Sequence, residues 1–315
     1  MSPPKILVIN GPTASGKTKL AVALALRHNG EVVSADSMQV YRRMDIGTAK
    51  PTREEMHGVP HHMIDVADPE ENFSVARYVD MAAHCIEDIL ARGHLPILAG
   101  GTGLYLDSLL SGRTFAAFSP KSSLRGELEE RIKKEGGAAL LAELSKGDPD
   151  TAARLHPNDG KRIIRALEVY LTTGKTISQH NAETQAIPPR YDALTLTLAF
   201  QRREDMWARI DRRVDQMMAD GLADEVQALL DSKVPDRCTA MQAIGYKDMA
   251  TALRSGGEVF RAGEEIKLRS RQYAKRQLTW LKRNSAAKWI WWDHDPDFTA
   301  ACQASTGYLE EFGIL

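Results

Sequence analysis

The sequence predicts an α/β fold in which a parallel sheet is flanked by helices and interrupted by an all-helical insertion. Short apolar runs alternate with helical patterns over the first 110 residues, which is the rhythm of βαβ units. A glycine-rich segment, Gly11–Thr18, separates the first apolar run from the first helical pattern. Residues 118–192 contain helical patterns and no convincing strand. These three observations define the predicted fold class.

The first half of the chain contains three predicted strands. Residues 5–10, 31–35 and 95–99 are short apolar runs, as expected for strands of a sheet that is buried on both faces. Helices are predicted over residues 17–28, about 74–91 and about 103–110, so that strands and helices alternate. This order predicts right-handed crossovers and a parallel sheet.

The middle and the end of the chain complete the predicted architecture. Charged helix formers occupy residues 124–134, a Gly-, Pro- and Asp-rich loop follows at 146–150, and a second helix over 160–173 ends at Gly174. Strands are predicted again at 193–200 and 288–292, with helices dominating 203–284. We therefore predict a core domain of residues 1–117 and 193–315, and a helical insertion domain of residues 118–192.

Composition and charge restrict the class of protein. The chain has 315 residues, 43% of them hydrophobic, and a formal net charge of −1. Residues 261–290 nevertheless carry nine Lys or Arg against two Glu, which predicts a local basic surface. The cysteines are far apart without a C-x-x-C pair, which argues against a disulfide framework or zinc finger. Neither a secretory signal nor a membrane-spanning run is evident, so we expect a cytoplasmic protein without a membrane partner.

The segment Gly11-Pro-Thr-Ala-Ser-Gly-Lys-Thr18 has the spacing G-x-x-x-x-G-K-[ST] at a strand-to-helix turn. In this setting backbone N–H groups and the helix N-terminus surround a phosphate, the lysine adds a positive charge, and the Thr18 hydroxyl can ligate Mg²⁺. The whole loop is therefore predicted to bind phosphate groups: Gly11, Pro12, Thr13, Ala14, Ser15, Gly16, Lys17 and Thr18. The motif alone does not identify the ligand as ATP.

Two further strand ends should face the same crevice, because ligands bind outside the carboxyl ends of parallel strands. Asp36 follows the second strand and can ligate Mg²⁺ or accept a proton, with an N-cap or a solvated turn as the alternative. The third strand ends in Ala99-Gly-Gly-Thr-Gly103, where glycines permit close approach to a ligand. That strand end lacks the acidic residue with which a nucleotide hydrolase holds Mg²⁺ and water.

Three other segments are candidates for binding roles. His61 and His62 are adjacent, so on an extended chain they point to opposite sides, and a structural or substrate-contact role is favoured over metal binding. The helix 209–218 contains several arginines, one of which could reach the phosphates, although surface ion pairs are the alternative. Residues 267–283 form an amphipathic helix with two basic flanks, which can face a polyanion or simply be solvated.

In order along the chain, these motifs resemble the tRNA dimethylallyltransferases, also called tRNA isopentenyltransferases. The resemblance runs from residue 11 to about 283, and no C-terminal Cys/His zinc-finger extension is present, so it is to the bacterial type. The matching segments are 11–18, 36–41, 47–51, His61-His62 with Ile64-Asp65, 100–105, 156–159 with 165–168, Gly245-Tyr246, and 273–277 with Thr279-Trp280.

The resemblance implies a P-loop NTPase-like fold and transfer of a dimethylallyl group from dimethylallyl diphosphate to tRNA. The acceptor would be the exocyclic N6 amine of the adenosine 3′ to the anticodon, with Mg²⁺ as cofactor and diphosphate released. Asp36 would be the base, Lys17 and Arg213 would stabilise the leaving diphosphate, and Thr102 would be a further active-site hydroxyl. The family also implies a monomer that binds the tRNA anticodon stem-loop.

The resemblance further assigns tRNA contacts to four segments besides Thr102. These are Asp36, Ser37, Met38 and Gln39; Lys161, Arg162, Ile163, Ile164 and Arg165; Gln242, Ala243, Ile244, Gly245, Tyr246 and Lys247; and Lys275, Arg276, Gln277, Leu278, Thr279, Trp280, Leu281 and Lys282. Three alternatives share some of these features: a P-loop small-molecule kinase, a prenyltransferase acting on free adenine nucleotides, and a non-catalytic RNA-binding protein.

Overall fold

A computed structural model describes residues 3–112, 123–185 and 187–315 of the chain. The contacts divide it into two compact units, one of Met1–Leu110 with Arg190–Leu315 and the other of Ser111–Pro189. The predicted domain junction between residues 117 and 118 lies outside the described residues. The return to the first unit comes just before a strand that begins at Asp192.

The first unit is built on a six-stranded, fully parallel sheet. Its strands are β1 (Lys5–Asn10), β2 (Gly30–Ser34), β3 (His61–His62), β4 (Leu95–Gly100), β5 (Asp192–Phe200) and β6 (Lys288–Trp292). Their order across the sheet is β3-β2-β4-β1-β5-β6. All five strands predicted from the sequence are confirmed within one residue at either end. The sixth, β3, is two residues long and shows no pattern that a sequence could reveal.

Helices cover both faces of this sheet. Successive side chains of a strand point to opposite faces, so each face carries apolar side chains that a helix can bury. Ile6 and Val8 of β1 belong to one apolar cluster, and Leu7 and Ile9 belong to another. The helices of this unit are α1 (Lys17–Arg27), α2 (Arg53–Met56), α3 (Val75–Ala91), α4 (Gly103–Leu110), α10 (Arg203–Ala219), α11 (Leu222–Asp231), α12 (Tyr246–Arg254), α13 (Val259–Leu281) and α14 (Phe298–Phe312), with a 3₁₀ turn at Ala240–Gln242.

The second unit is helical throughout its described residues, as the sequence predicts. Its helices are α5 (Ser123–Glu135), α6 (Gly137–Gly147), α7 (Pro149–Ala152), α8 (Gly160–Thr173) and α9 (Ile177–Gln185). They enclose a separate apolar core in which Leu128, Leu140 and Ile163 are almost fully buried. In the described part of the whole chain, no helix is long and apolar enough to cross a membrane.

Candidate active site

The carboxyl ends of three neighbouring strands place the predicted site segments side by side. Strand β4 pairs with β1 on one side and with β2 on the other. The Gly11–Thr18 loop follows β1, Asp36 lies two residues beyond β2, and Thr102 lies two residues beyond β4. The topology therefore brings together residues that are up to 91 positions apart in the sequence, from Gly11 to Thr102, at the edge where ligands of open α/β sheets bind.

The Gly11–Thr18 loop has the backbone of an anion-binding turn. Gly16 has φ +90°, and a Cβ there would lie 2.7 Å from the Phe298 ring, so only glycine fits. Helix α1 begins directly after it without a side-chain cap, which leaves its first N–H groups for a ligand. The Ser15 hydroxyl is buried without a hydrogen-bond partner among the described residues. Both features are typical of a loop that receives phosphate oxygens.

Three side chains from distant elements hold this loop in shape from outside. Gln277 of α13 accepts the Thr13 N–H at 2.9 Å, and its amide nitrogen donates to the Gly101 carbonyl at 2.9 Å. Arg209 Nε donates to the Ala14 carbonyl at 3.2 Å, and Trp292 Nε1 donates to the Ser15 carbonyl at 2.9 Å. The loop is therefore preorganised by α10, α13 and β6 before any ligand binds.

Lys17 and Arg213 supply positive charge at the loop. The Lys17 ammonium donates to the Pro12 carbonyl at 2.8 Å. Burial and the nearby Arg213 guanidinium lower the pKa of Lys17 to about 7, against the opposing effect of Asp36. Burial also lowers the pKa of Arg213. Two cations held close together without a fully compensating anion form a site that favours a highly charged anion such as diphosphate.

Asp36 is oriented by its own turn and by Thr102. One carboxylate oxygen, Oδ1, accepts the Met38 N–H at 2.8 Å and the Gln39 N–H at 3.4 Å, so Oδ2 is left to accept a proton. The Thr102 hydroxyl accepts the Ser37 N–H at 3.0 Å and donates to the Ser37 hydroxyl at 3.3 Å. Gly100 is required at this point, because a Cβ there would lie 2.2 Å from the Ala35 carbonyl oxygen.

One cavity of about 350 Å³ joins the loop to Asp36 and Arg213. Its volume is within the range of small-ligand pockets. Its lining combines polar groups with apolar side chains, among the latter Ile210, Val214 and Met217 of α10 and Ile266 of α13. The other lining residues are Thr13, Ser37, Met38, Gly47, Thr48, Gln242, Ala243, Ile244, Gly245, Ser270, Tyr273 and Arg276.

Tyr273 is a cavity residue that the sequence indicated only as part of the matching segment 273–277. Burial, and secondarily the charge of Asp36, raise the pKa of Tyr273 to about 12, so its hydroxyl remains protonated at neutral pH. The four apolar wall residues were also missed as site residues. Their helical spacing looks the same whether a helix packs on a core or lines a cavity, so no sequence signal separates the two.

The basic helix α13 is less exposed to a polyanion than its sequence predicts. Lys267 pairs with Asp215 at 2.6 Å, Arg269 with Asp248 at 2.9 Å, and Arg271 with Asp211 at 3.1 Å. The two predicted basic flanks are therefore neutralised over their first half by acidic residues of α10 and α12. In the described residues no ion pair is formed by Lys275, Arg276, Lys282 or Arg283, which continue the flanks to the end of the helix.

The segments implied to contact tRNA contain both exposed and buried side chains. Ser37, Met38, Gln242, Ala243, Ile244, Gly245 and Arg276 line the cavity, whereas Gln39 binds the carbonyls of Thr48 and Ala49. Lys247, Lys275, Leu278, Thr279, Trp280 and Lys282 lie elsewhere on the first unit, and Lys161, Arg162 and Arg165 lie on α8 of the second. The side chains of Ile163, Ile164, Tyr246, Gln277 and Leu281 are buried in the free protein, and their implied contact with tRNA stays a prediction.

The adjacent histidines have different partners. His62 Nε2 lies 2.7 Å from a carboxylate oxygen of the buried Glu31, which also binds Arg92 and His94. His61 Nδ1 lies 2.8 Å from the Val59 carbonyl oxygen. Both sit on the edge strand β3, and these contacts support a structural role.

The residues present fit Mg²⁺ bound together with a diphosphate. The described residues contain no group of three or more His, Cys, Asp or Glu that could hold a metal ion. Magnesium often uses only one or two protein ligands and takes the rest from substrate phosphates and water. The Thr18 hydroxyl, in the first turn of α1 beside the loop, is placed where it can supply such a ligand.

Comparison with known proteins agrees with this arrangement. The family model of the IPP transferases matches residues 39–284. A tRNA dimethylallyltransferase of Acetivibrio thermocellus is 44% identical over 98% of this chain and 99% of its own, and one of Geobacter sulfurreducens is 48% identical over 91% of each.

Two solved structures are also similar. A tRNA isopentenylpyrophosphate transferase of Bacillus halodurans has a TM-score of 0.72 and 44% identity, with 98% of both chains covered. A eukaryotic dimethylallyltransferase, described as acting on tRNA, has a TM-score of 0.84 and 31% identity over 98% of this chain and 80% of its own.

Proposed function

Since the chain belongs to the IPP transferase family of tRNA dimethylallyltransferases, we propose that it transfers a dimethylallyl group from dimethylallyl diphosphate to tRNA. The proposed acceptor is the exocyclic N6 amine of the adenosine 3′ to the anticodon. The observation that carries the proposal is the single cavity in which a phosphate-loop residue, Asp36, Arg213 and an apolar wall meet. A prenyl diphosphate needs all of these: cations for its diphosphate and an apolar surface for its chain.

The loop, Lys17 and Arg213 would stabilise the leaving group. When the bond between C1 of the prenyl chain and the bridging oxygen breaks, its electron pair passes to the diphosphate. Preorganised N–H donors and two cations lower the energy of that developing charge without having to reorganise. Ser15 adds a hydroxyl that has no hydrogen-bond partner among the described residues.

Asp36 would act on the acceptor. The N6 lone pair of adenosine is delocalised into the ring, so the amine is a weak nucleophile. As N6 forms its bond to C1, Oδ2 of Asp36 would accept the proton that the amine loses. The turn that binds Oδ1 and the Thr102–Ser37 contacts keep this carboxylate in one orientation.

We propose Mg²⁺ as the cofactor, with the Thr18 hydroxyl as its protein ligand. When bound with the substrate, Mg²⁺ would neutralise diphosphate charge. Lys17 and Arg213 do the same from the protein side and remain in place without it.

The tRNA would be bound by exposed and cavity-lining residues of the segments named above. We restrict the proposed direct contacts to Lys275, Arg276, Thr279 and Lys282 of α13, Lys161, Arg162 and Arg165 of α8, and the cavity residues at 36–38 and 242–245. The target adenosine must leave its stack to reach Asp36, at a cost of a few kcal/mol that these contacts would offset. We also propose a cytoplasmic location, which a tRNA substrate and three free cysteines suit. We propose a monomer because the family resemblance implies one, and size-exclusion chromatography of the purified protein tests that oligomeric state.

Labelled substrates test the proposal. We expect label from [¹⁴C]dimethylallyl diphosphate to enter unmodified tRNA in the presence of Mg²⁺, but not to enter AMP. Transfer to AMP would indicate a prenyltransferase of free nucleotides, phosphoryl transfer from labelled ATP to a small molecule would indicate a kinase, and tRNA binding without any transfer would indicate an RNA-binding protein. Any of these three results contradicts the proposal.

Asp36→Ala tests the proposed base. We expect turnover to fall at least about 100-fold, because general-base catalysis contributes roughly 10²–10⁴-fold, while the Kd for tRNA changes much less. Asp80→Ala, which removes an exposed carboxylate on α3 outside the cavity lining, is the matched control and should leave turnover unchanged. Equal losses of turnover and tRNA affinity for Asp36→Ala would remove Asp36 from the role of base.

A further inference from the structure

We propose that Glu225 is a positioning residue that sets one wall of the active-site cavity and, through it, the placement of the acceptor beside Asp36. The inference rests on the proposed function for its kinetic consequence. Glu225 lies in the first turn of α11, does not line the cavity, and belongs to none of the motifs identified in the sequence.

The Glu225 carboxylate binds a run of three backbone N–H groups. Its Oε2 accepts from Asp45 and Ile46, each at 2.8 Å, and its Oε1 accepts from Gly47 at 3.1 Å. Hydrogen bonds to a charged group are stronger than neutral ones. Because these N–H groups are consecutive, one side chain fixes the path of the whole segment.

The same carboxylate also binds a second segment of the chain, at the start of α12. The Tyr246 hydroxyl donates to Glu225 Oε1 at 2.5 Å. Burial and the Glu225 charge raise the pKa of Tyr246 far above its usual range, so the hydroxyl remains a donor at any working pH. Glu225 therefore joins the segment 45–47 to the start of α12.

Both joined segments border the cavity. Gly47 and the next residue, Thr48, line it from one segment, and residues 242–245, which lead directly into Tyr246, line it from the other. Removing the Glu225 carboxylate would leave three N–H groups and a buried hydroxyl without their acceptor, and the two segments would no longer be tied together.

Close packing makes this arrangement specific. A Cβ on Gly47 would lie 2.5 Å from the Tyr246 ring and 2.9 Å from a Leu222 methyl group. Tyr246 and Leu222 are fully buried, so neither can swing away. In this packing Gly47 rests on the ring whose hydroxyl Glu225 holds.

A chain of hydrogen bonds connects this wall to the proposed base. Gln39 Nε2 donates to the carbonyls of Thr48 and Ala49 at 3.3 and 3.2 Å, and the Gln39 N–H binds Asp36 Oδ1. The phosphate loop, by contrast, is held by Gln277, Arg209 and Trp292, which do not contact Glu225. Loss of Glu225 should therefore disturb the acceptor side of the cavity and spare the diphosphate side.

The test compares Glu225→Ala with the milder Glu225→Gln and Tyr246→Phe, and with Asp224→Asn as the matched control on the exposed neighbouring residue. We expect Glu225→Ala to lower kcat for tRNA prenylation at least tenfold, while the Kd for inorganic diphosphate stays within twofold of wild type. Glu225→Gln should recover part of the loss, because its amide oxygen still accepts hydrogen bonds. Asp224→Asn should match wild type.

Hydrogen exchange separates this proposal from the proposed function. In Glu225→Ala we expect faster exchange in peptides covering residues 45–49 and unchanged exchange in peptides covering 11–18, whether or not the wild type prenylates tRNA. Unchanged exchange at 45–49 would overturn the proposal, as would a parallel loss of diphosphate affinity and kcat. If Glu225→Ala does not fold, the same measurements on Glu225→Gln and Tyr246→Phe decide the question.

Discussion

At the scale of single residues, the site combines groups whose charges are left partly uncompensated. Lys17 lies near a second cation, Arg213, and among the described residues its ammonium donates a hydrogen bond only to the Pro12 carbonyl. The Asp36 carboxylate attracts both cations, but its Oδ1 accepts a hydrogen bond from its own turn. An arrangement of this kind destabilises the free protein and is relieved by a polyanion. Binding of diphosphate and protonation of Lys17 should therefore be coupled.

The pH dependence of diphosphate binding tests this coupling. The pKa of Lys17 is about 7 in the free protein, and a bound anion raises it, so the bound state holds more protons above pH 7. The contribution of Lys17 to the affinity for inorganic diphosphate should be fully present below pH 7. Above pH 7 that contribution should fall by up to about tenfold per pH unit. Isothermal titration calorimetry in buffers of different ionisation enthalpy should show proton uptake at pH 8.

Lys17→Arg is the control for this prediction, because arginine keeps its charge across the whole range. Its diphosphate affinity should lack the component of pH dependence that Lys17 contributes. Identical pH profiles for the two proteins would contradict the coupling. In the folding equilibrium the same lowered pKa has a defined sign: the unfolded chain binds the extra proton between pH 7 and about 10.5, so stability contributed by this group increases with pH there.

At the scale of elements, α13 serves two sides of the proposed site. Its outward residues Lys275 and Lys282 are exposed cations, and its inward Gln277 binds both the phosphate loop and the segment after β4. Gln277 is 7% exposed and touches Gly101 so closely that a Cβ on that glycine would lie 2.4 Å from its amide nitrogen. The helix on which tRNA is proposed to bind is thus bonded to the loop on which diphosphate is proposed to bind.

Substitution of Gln277 measures the strength of this link. Gln277→Ala leaves the buried Thr13 N–H and Gly101 carbonyl without partners, at about 1–3 kcal/mol each. We expect roughly tenfold weaker diphosphate binding and a lower Tm. Gln277→Glu should be worse for binding, because it places a negative charge near the anion. Thr279→Ala, on the exposed face of the same helix, should change neither quantity, and normal diphosphate affinity in Gln277→Ala would refute the link.

The elements show why part of this site was predictable and part was not. Local patterns identify Gly11–Thr18 and the strand ends, because a phosphate loop and an apolar strand each have a signature within a few residues. Gln277 and Glu225 act over 264 and 179 positions of sequence, respectively, through hydrogen bonds to backbone N–H groups. Every residue except proline has a backbone N–H group, so the type of the bonded residue does not reveal such a hydrogen bond. Similarly, the pairing of Lys267 with Asp215 depends on how two helices pack, which the sequence does not show. The sequence therefore predicts longer unpaired basic flanks on α13 than the structure has.

At the scale of the whole molecule, the proposed tasks are divided between two compact units. The first unit contains the cavity and every group proposed to touch the diphosphate or the transferred proton. The second has its own apolar core, and on α8 the side chains of Ile163 and Ile164 enter that core while Lys161 and Arg162 are exposed. A unit with a separate core can carry binding residues whose replacement leaves the chemistry of the other unit intact.

Lys161→Ala combined with Arg162→Ala tests this division of tasks. Loss of two phosphate contacts should weaken tRNA binding several-fold and reduce the slope of log affinity against log salt concentration by about 1.4–1.8, at roughly 0.7–0.9 per contact. Both residues are exposed, so Tm should change little, and the Kd for inorganic diphosphate should equal that of wild type because the first unit is untouched. Lys175→Ala is the matched control: Lys175 follows the opposite end of α8 and is paired with Glu183 at 2.8 Å, so it should leave the salt slope unchanged. An unchanged salt slope in the double variant, or equal losses in the double variant and the control, would show that α8 does not bind the tRNA backbone.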